Sequence, residues 1–158
     1  MKDFVRLFDE LDSTTSTNEK VAALEKYFRK ASDQDALWAI LLLTGRMARK
    51  VLTSRSLKDL FLVATKYPEW LLDECASHVG DTAETLSLLA QTLGKTRRLQ
   101  DSTETTSLAD WLENRIPDIG RLEDQSDQAA ELLRWWSKLD QQEVFVLNKL
   151  INSSKYSV

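Results

Sequence analysis

The chain has 158 residues with 21 basic and 25 acidic side chains, which gives a formal net charge of -4. A hydrophobic fraction of 42% and a charged fraction of 29% are typical of a soluble globular protein. No apolar run approaches the ~20 residues of a membrane helix, and the charged N-terminus lacks the apolar core of a signal peptide. The single cysteine cannot form an internal disulfide, so we expect a cytoplasmic protein.

Helical periodicity runs along the whole chain and predicts an all-α fold. Two prolines and four glycines are too few turn residues for a β-rich domain of this length. Apolar residues recur at the spacing i, i+3, i+4, i+7, which places them on one helical face. This spacing predicts helices near residues 2–12, 17–31, 34–44, 55–66, 69–79, 82–93, 107–116, 126–139 and 141–152.

Local signals at the helix ends agree with this periodicity. Three residues that favour the N-cap are each followed three positions later by glutamate: Ser16, Asp81 and Asp140. Glycine follows the apolar pattern at positions 45, 80 and 94, and helices commonly end at such a residue in the left-handed conformation. The segment 95–106 has a single apolar residue, so we expect a mobile surface loop between two helical halves, residues 1–94 and 107–158.

The two halves show signs of an internal repeat. An ungapped shift of 108 residues places the apolar and polar positions of 21–43 on those of 129–151, and both segments end in a small polar turn with a nearby base. Two interpretations are open, since any two amphipathic helical hairpins share such a pattern. The shared turn chemistry favours a structural duplication.

Charge is segregated along the chain. Residues 36–58 carry five basic side chains and no acid, and residues 95–100 carry three more. Lys149 and Lys155 add positive charge near the C-terminus, whereas the remaining segments are acidic. This distribution predicts one positive face on a negative body.

The most informative stretch is residues 44–58, TGRMARKVLTSRSLK. Gly45 permits a tight turn with exposed backbone amides, and Thr53 or Ser54 can cap the helix that begins near Arg55. A helix N-terminus with arginines beside it is a natural phosphate site, although no nucleotide P-loop pattern is present. We therefore expect a contact with the phosphates of DNA or RNA; the alternative is a solvated basic loop.

Four segments in order resemble the N-terminal domain of bacterial ATP-dependent DNA ligases. They are MKDFVRLFDELDSTTSTNEKVAALEKYF, WAILLLTGR with the basic stretch to Ser54-Arg55, YPEWLLDECASHVGDTAETLSLL and FVLNKL. The resemblance implies a helical, non-catalytic domain that grips nicked duplex DNA through phosphates around the minor groove. It also implies a part in DNA repair, replication or recombination.

The resemblance assigns DNA-facing residues in two turns. The first turn comprises Thr44, Gly45, Arg46, Arg49, Lys50, Ser54 and Arg55, and the second comprises Asn148, Lys149 and Lys155. The family usually continues the second turn with a loop that contains glycine and arginine. This chain has Ile151-Asn152-Ser153-Ser154-Lys155 instead, so its backbone is expected to approach DNA less closely there.

The family's adenylation motif, Lys-x-Asp-Gly, does not occur in the sequence. We therefore expect this chain to have no catalytic residue and no cofactor of its own. ATP and Mg²⁺ would be bound by the catalytic domain, which the resemblance places outside this chain together with the OB-fold domain. An excised, monomeric ligase domain, associated with the nucleoid, is the favoured interpretation, and a free-standing remnant is the other.

Several residues are of types that occur in metal sites, reactive-cysteine sites or base-stacking sites, but their surroundings in the sequence do not support such roles. His78 lies four residues after Glu74, yet a metal site needs three or four ligands. Cys75 has no neighbouring base and is expected in the core. Trp135 and Trp136 could stack on bases, but their spacing favours the core for at least one of them.

The competing hypothesis is a helical protein-interaction module whose acidic half docks a basic partner. Surface distribution separates the two hypotheses. A DNA-binding domain should bring residues 46–58 and 149–155 to one face, whereas an interaction module should expose an apolar patch.

Overall fold

Helices make up most of the chain. The computed structural model describes residues 1–46, 50–98 and 103–152, and no strand occurs within these ranges. The predicted all-α fold is confirmed. The first six helices are α1 (Lys2–Asp12), α2 (Thr17–Lys30), α3 (Asp33–Leu43), α4 (Ser54–Thr65), α5 (Glu69–Val79) and α6 (Thr82–Thr92). They are followed by α7 (Leu108–Asp110), a π-helical turn (Trp111–Arg115), α8 (Ile116–Arg121), α9 (Gln125–Trp136) and α10 (Gln141–Asn152).

The predicted N-caps form as expected. The Ser16 hydroxyl accepts the N–H of Glu19, and the Asp81 carboxylate accepts the N–H of Glu84 over 2.9 Å. Asp140 caps α10 in the same way. Each side chain satisfies one of the four N–H groups that a helix start leaves without a backbone acceptor. The short polar connections therefore fix where these helices begin.

The helix predicted over 107–116 continues to Arg121. Pro117 lies inside it and has no N–H to donate, so an ordinary α-helix would be expected to break there. A π-helical turn precedes the proline, and the Ile116 N–H donates to the carbonyl of Trp111, five residues back. This wider turn accommodates the proline ring, so the helical stretch is longer than the sequence predicts.

Helix α10 lies at the centre of the core, and eight of its twelve residues are buried. It packs against α6 and α1. Gln141 Nε2 donates to Ser87 Oγ over 3.0 Å, and the Lys149 ammonium binds the Asp81 carboxylate, so α6 and α10 are antiparallel. The end of α10 therefore lies beside the start of α6.

Both tryptophans of α9 belong to the core. Trp135 packs edge to face on Trp111 with ring centroids 5.1 Å apart, and Trp136 contacts Phe61 of α4 at 5.8 Å. Trp135 is 4% exposed and Trp136 is fully buried. The core interpretation is confirmed for both residues, and neither is available to stack on a base.

The segment 95–106 lies between α6 and α7, but its described parts are anchored. The Arg97 N–H donates to the Leu139 carbonyl over 2.8 Å. Glu104 is buried, and its carboxylate accepts the Thr106 N–H over 2.8 Å. These contacts argue against a mobile loop at either end of the segment.

The helix starts agree with the proposed repeat. Helix α9 begins 108 positions after α2, and α10 begins 108 positions after α3. The N-caps also correspond, with Ser16 and Ser32 in the first pair and Asp124 and Asp140 in the second. This agreement supports the duplication hypothesis, which stays a prediction.

None of the helices in the described ranges has the length and apolar character needed to cross a membrane. The same ranges contain no group of three or more His, Cys, Asp or Glu side chains that could hold a metal ion. His78 is exposed, and its Nδ1 lies 3.7 Å from Glu74 Oε1. Cys75 lies in the middle of α5 and is only half-buried, so the expectation of a core cysteine is wrong.

Candidate nucleic-acid interface

The turn after α3 is built from the residues singled out in the sequence, but it differs from the expectation in one respect. Gly45 adopts a left-handed φ of 67°, its N–H donates to the Leu42 carbonyl, and the Arg46 N–H donates to the Leu41 carbonyl. This pair of bonds is the Schellman arrangement that ends a helix. The expectation of exposed amides is wrong here, because both N–H groups are used within the protein. Thr44 is likewise engaged, through a hydroxyl that donates to the Ile40 carbonyl.

The end of α10 is tied to the segment that leads into α4. The N–H groups of Val51 and Leu52 both donate to the Ile151 carbonyl, over 3.1 and 3.3 Å. The next residue, Asn152, donates from Nδ2 to Ser54 Oγ over 2.6 Å. The two predicted contact regions, almost a hundred residues apart in sequence, therefore meet at the start of α4.

The start of α4 presents unpaired backbone donors. Thr53 is the N-cap, and its hydroxyl accepts the Ser56 N–H over 3.0 Å. The N–H groups of Ser54 and Arg55 have no acceptor within the residues that the structure describes. The first turn of α4 contains no acid. Its partial positive charge is thus uncompensated, which suits an anion.

Three cations lie at the end of α3, in the segment that leads into α4, and in the first turn of α4, and we call Arg46, Lys50 and Arg55 the basic cluster. All three are exposed, and in the described part of the chain none of them forms an ion pair. Four residues of chain limit the Cα separation of Arg46 and Lys50 to about 14 Å. Arg55 is in the first turn of α4 beside the free N–H groups, and Lys50 precedes that turn by four residues, so positive charge is concentrated on the segment that leads into α4.

Acidic residues limit the positive surface on one side. A groove lined by Ser54 and Arg55 also contacts Asp59, Glu69 and Asp73. Lys58 lies in this groove, and its Nζ is 2.5 Å from Asp73 Oδ1. The charge of Lys58 is thus largely compensated, and we leave it out of the basic cluster.

Lys149 is placed differently from the basic cluster. Its ammonium forms a hydrogen-bonded ion pair with Asp81 and lies 5.6 Å from the ring centre of Phe145. Burial acts to raise the pKa of Asp81, but hydrogen bonds from Lys149 and from the Glu84 N–H outweigh burial, so the pKa lies below its ordinary value. The pair joins α10 to α6 and leaves Lys149 only one-fifth exposed.

Asn148 is a core residue. Its side chain is fully buried, its Oδ1 accepts the Trp136 Nε1–H over 3.2 Å, and its Nδ2 lies 3.5 Å from the Ala83 carbonyl. A direct contact between this side chain and DNA is incompatible with such burial, so we correct the assignment of Asn148 to the surface.

The second basic segment, residues 95–98, lies elsewhere. The Lys95 N–H donates to the Ala90 carbonyl at the end of α6, and the Arg97 N–H reaches Leu139, just before α10. The basic cluster is at the opposite end of α10, and a helix of twelve residues spans about 18 Å. Residues 95–98 therefore lie away from the start of α4, and one positive face that includes them stays a prediction.

The family model for the DNA ligase N terminus matches residues 1–154 of the chain. The chain belongs to this family. The resemblance inferred from the residues is confirmed, and the match covers every helix described above. The sequence has no significant match to a curated protein.

Within this ligase N-terminal domain, two predicted residues, Arg49 and Lys155, lie outside the described part of the chain. One relevant residue was missing from the predicted site. Asn152 belongs to a polar turn in the sequence, but its bond to Ser54 joins residues 98 positions apart and has no local signal. The burial of Asn148 could be predicted from the sequence, because the spacing of Val144, Asn148 and Ile151 places them on one helical face.

Proposed function

We propose that this chain is the DNA-binding domain of an ATP-dependent DNA ligase and that it holds nicked duplex DNA through backbone phosphates. The observation that carries the proposal is the basic cluster, whose exposed cations form no ion pair with any described residue and lead into the free N–H groups of α4. Arginine and lysine side chains and helix starts contact phosphates without reading the base sequence. We therefore expect binding that is strong at low salt and independent of sequence.

The proposal assigns no chemical step to this chain. Adenylation, with its ATP and Mg²⁺, would belong to the catalytic domain of the parent ligase. The role of the N-terminal domain would be to hold the duplex while the catalytic domain works on the nick. On this proposal the chain acts in the cytoplasm with the chromosomal DNA, in repair, replication or recombination.

The proposal is tested by a fluorescence-anisotropy titration of the full chain against one duplex, with and without a nick. Replacing the basic cluster in the triple variant R46A/K50A/R55A should weaken binding about a hundredfold or more. The control is K26A/R29A/K30A, which also removes three cations. These residues belong to α2, which precedes the start of α3, whereas the basic cluster follows the end of α3. If both triple variants weaken binding equally, net charge is responsible and the proposed surface is wrong.

A second candidate function, a protein-interaction module, is supported by an apolar surface. Leu37 and Ile40 on α3 are 57% and 48% exposed, and the two residues share one helical face. We propose that this face contacts the catalytic domains of the parent ligase. The variant L37E should then weaken binding of a separately produced catalytic fragment and leave duplex binding unchanged. Unchanged binding of the fragment would remove this candidate.

A further inference from the structure

Asn152 is buried at the end of α10 and has an unusual hydrogen-bond arrangement. The residue is 4% exposed, and its Nδ2 donates to Ser54 Oγ over 2.6 Å. Its Oδ1 is buried and has no hydrogen-bond partner among residues 1–46, 50–98 and 103–152. A buried carbonyl oxygen without a partner is unfavourable, and an apolar side chain of similar size would avoid it. The amide is therefore poorly explained by packing alone.

The bond to Ser54 has a consequence for the start of α4. A serine hydroxyl has one proton to donate and can accept hydrogen bonds through its lone pairs. Because Ser54 Oγ accepts from Asn152, its own proton is directed away from the amide. No acceptor for this proton occurs among the described residues. The hydroxyl lies on the same helical turn as the free N–H groups of Ser54 and Arg55.

We infer that Asn152 is a positioning residue that orients the Ser54 hydroxyl to donate to a phosphodiester oxygen of DNA. This inference rests on the proposed function. Ser54 would supply a neutral donor beside the charged Arg55, and the backbone N–H groups would complete the phosphate site. Asn152 acts through Ser54 and touches no DNA itself.

A double-mutant cycle on duplex affinity tests the inference. The variant S54A should weaken binding roughly tenfold, the usual effect of losing a hydrogen bond to a charged group. N152L, which removes the amide but keeps the volume, should weaken binding several-fold in the wild type and not at all in the S54A background. The conservative variant S54T keeps the hydroxyl and should retain most of the affinity. An equal loss from N152L in both backgrounds, or no loss in the wild type, overturns the inference.

The salt dependence distinguishes this role from a merely structural one. A neutral donor displaces no counterion from DNA when the protein binds. The fold loss of affinity in S54A and in N152L should therefore be the same at every salt concentration. A change in packing that displaces Arg55 would instead reduce the slope of log affinity against log salt by about one. Such a reduced slope in N152L would contradict the inference. N152A is the second variant if N152L does not fold.

The same assay separates failure of this inference from failure of the proposed function. If the wild-type chain does not bind the duplex at low salt, both fail. If the wild type binds and R55A binds more weakly, while S54A and N152L bind like the wild type, only the role of Asn152 is wrong.

Discussion

The buried indole of Trp136 donates a hydrogen bond from Nε1 to Oδ1 of Asn148, over 3.2 Å. This bond joins α9 to α10 inside the core, at a position that the family resemblance assigns to a DNA contact. A polar residue in such a place is structural, because each buried polar group needs a partner.

Replacing Asn148 by alanine should lower the free energy of unfolding by about 1–3 kcal/mol, because the Trp136 Nε1–H loses its buried acceptor. Urea denaturation monitored by tryptophan fluorescence measures this change. The exposed amide Asn18 provides the control, and N18A should have little effect. DNA affinity of folded N148A should stay within about twofold of the wild type. A large loss of affinity at unchanged stability would restore Asn148 as a contact.

Arg55 should contribute to DNA affinity through its charge and its position. The variant R55A should weaken duplex binding by roughly tenfold, equally for duplexes of different sequence, and reduce the salt slope by about one. R29A makes the same change in net charge on α2, where Arg29 pairs with Glu25, and should have a much smaller effect. A loss in R55A that depended strongly on base sequence would indicate direct base recognition instead.

Glu104 should make stability depend on pH in the acid range. Burial acts to raise the pKa of Glu104, but hydrogen bonds from Thr106 and the Arg115 guanidinium outweigh burial and hold the pKa below its ordinary value. The carboxylate therefore stabilises the fold above about pH 4, and this contribution is lost as the pH falls through the lowered pKa.

The variant E104Q tests this pH dependence. Its free energy of unfolding, measured from pH 2 to 7, should fall below that of the wild type at neutral pH, and the difference should shrink in acid. A difference that stays constant over the whole range would show that the charge of Glu104 is unimportant for stability.

Gly120 in α8 allows the segment before α4 to pack closely. A Cβ at this position would lie 2.8 Å from Val51 Cγ1, which is closer than real contacts permit. Alanine is normally favoured over glycine in a helix by about 1 kcal/mol, but overpacking costs about 1–3 kcal/mol. We therefore expect G120A to be neutral or destabilising by up to about 2 kcal/mol.

The partner variant V51A supplies the control for G120A. It removes Cγ1, so G120A should become stabilising in the V51A background, as measured by denaturation of the four variants. If G120A changes the free energy of unfolding equally in both backgrounds, the contact between position 120 and Val51 does not determine the effect of G120A.

Much of the fold could be predicted from the sequence because its signals are local. Capping residues such as Ser16 and Asp81 bond to groups three positions away, and apolar periodicity marks each buried face. The continuation of the helix past Pro117 was missed, because the π-helical turn that accommodates the proline has no distinct sequence pattern.

The candidate site was predictable only in part. The basic residues and the cap at Thr53 follow from the sequence between 44 and 58. The use of the Gly45 and Arg46 amides within the protein follows from the helix-end motif, which the same glycine indicates. The bond between Asn152 and Ser54 depends on tertiary packing over 98 positions, and local patterns carry no information about it.

The dependence of duplex affinity on salt concentration tests the central claim most directly. If Arg46, Lys50 and Arg55 each neutralise one phosphate, log affinity should fall linearly with log salt, with a slope of about -3 or steeper. The measurement is an anisotropy titration of the wild-type chain on one nicked duplex at several salt concentrations. A flat dependence between low and physiological salt would contradict phosphate binding by the basic cluster.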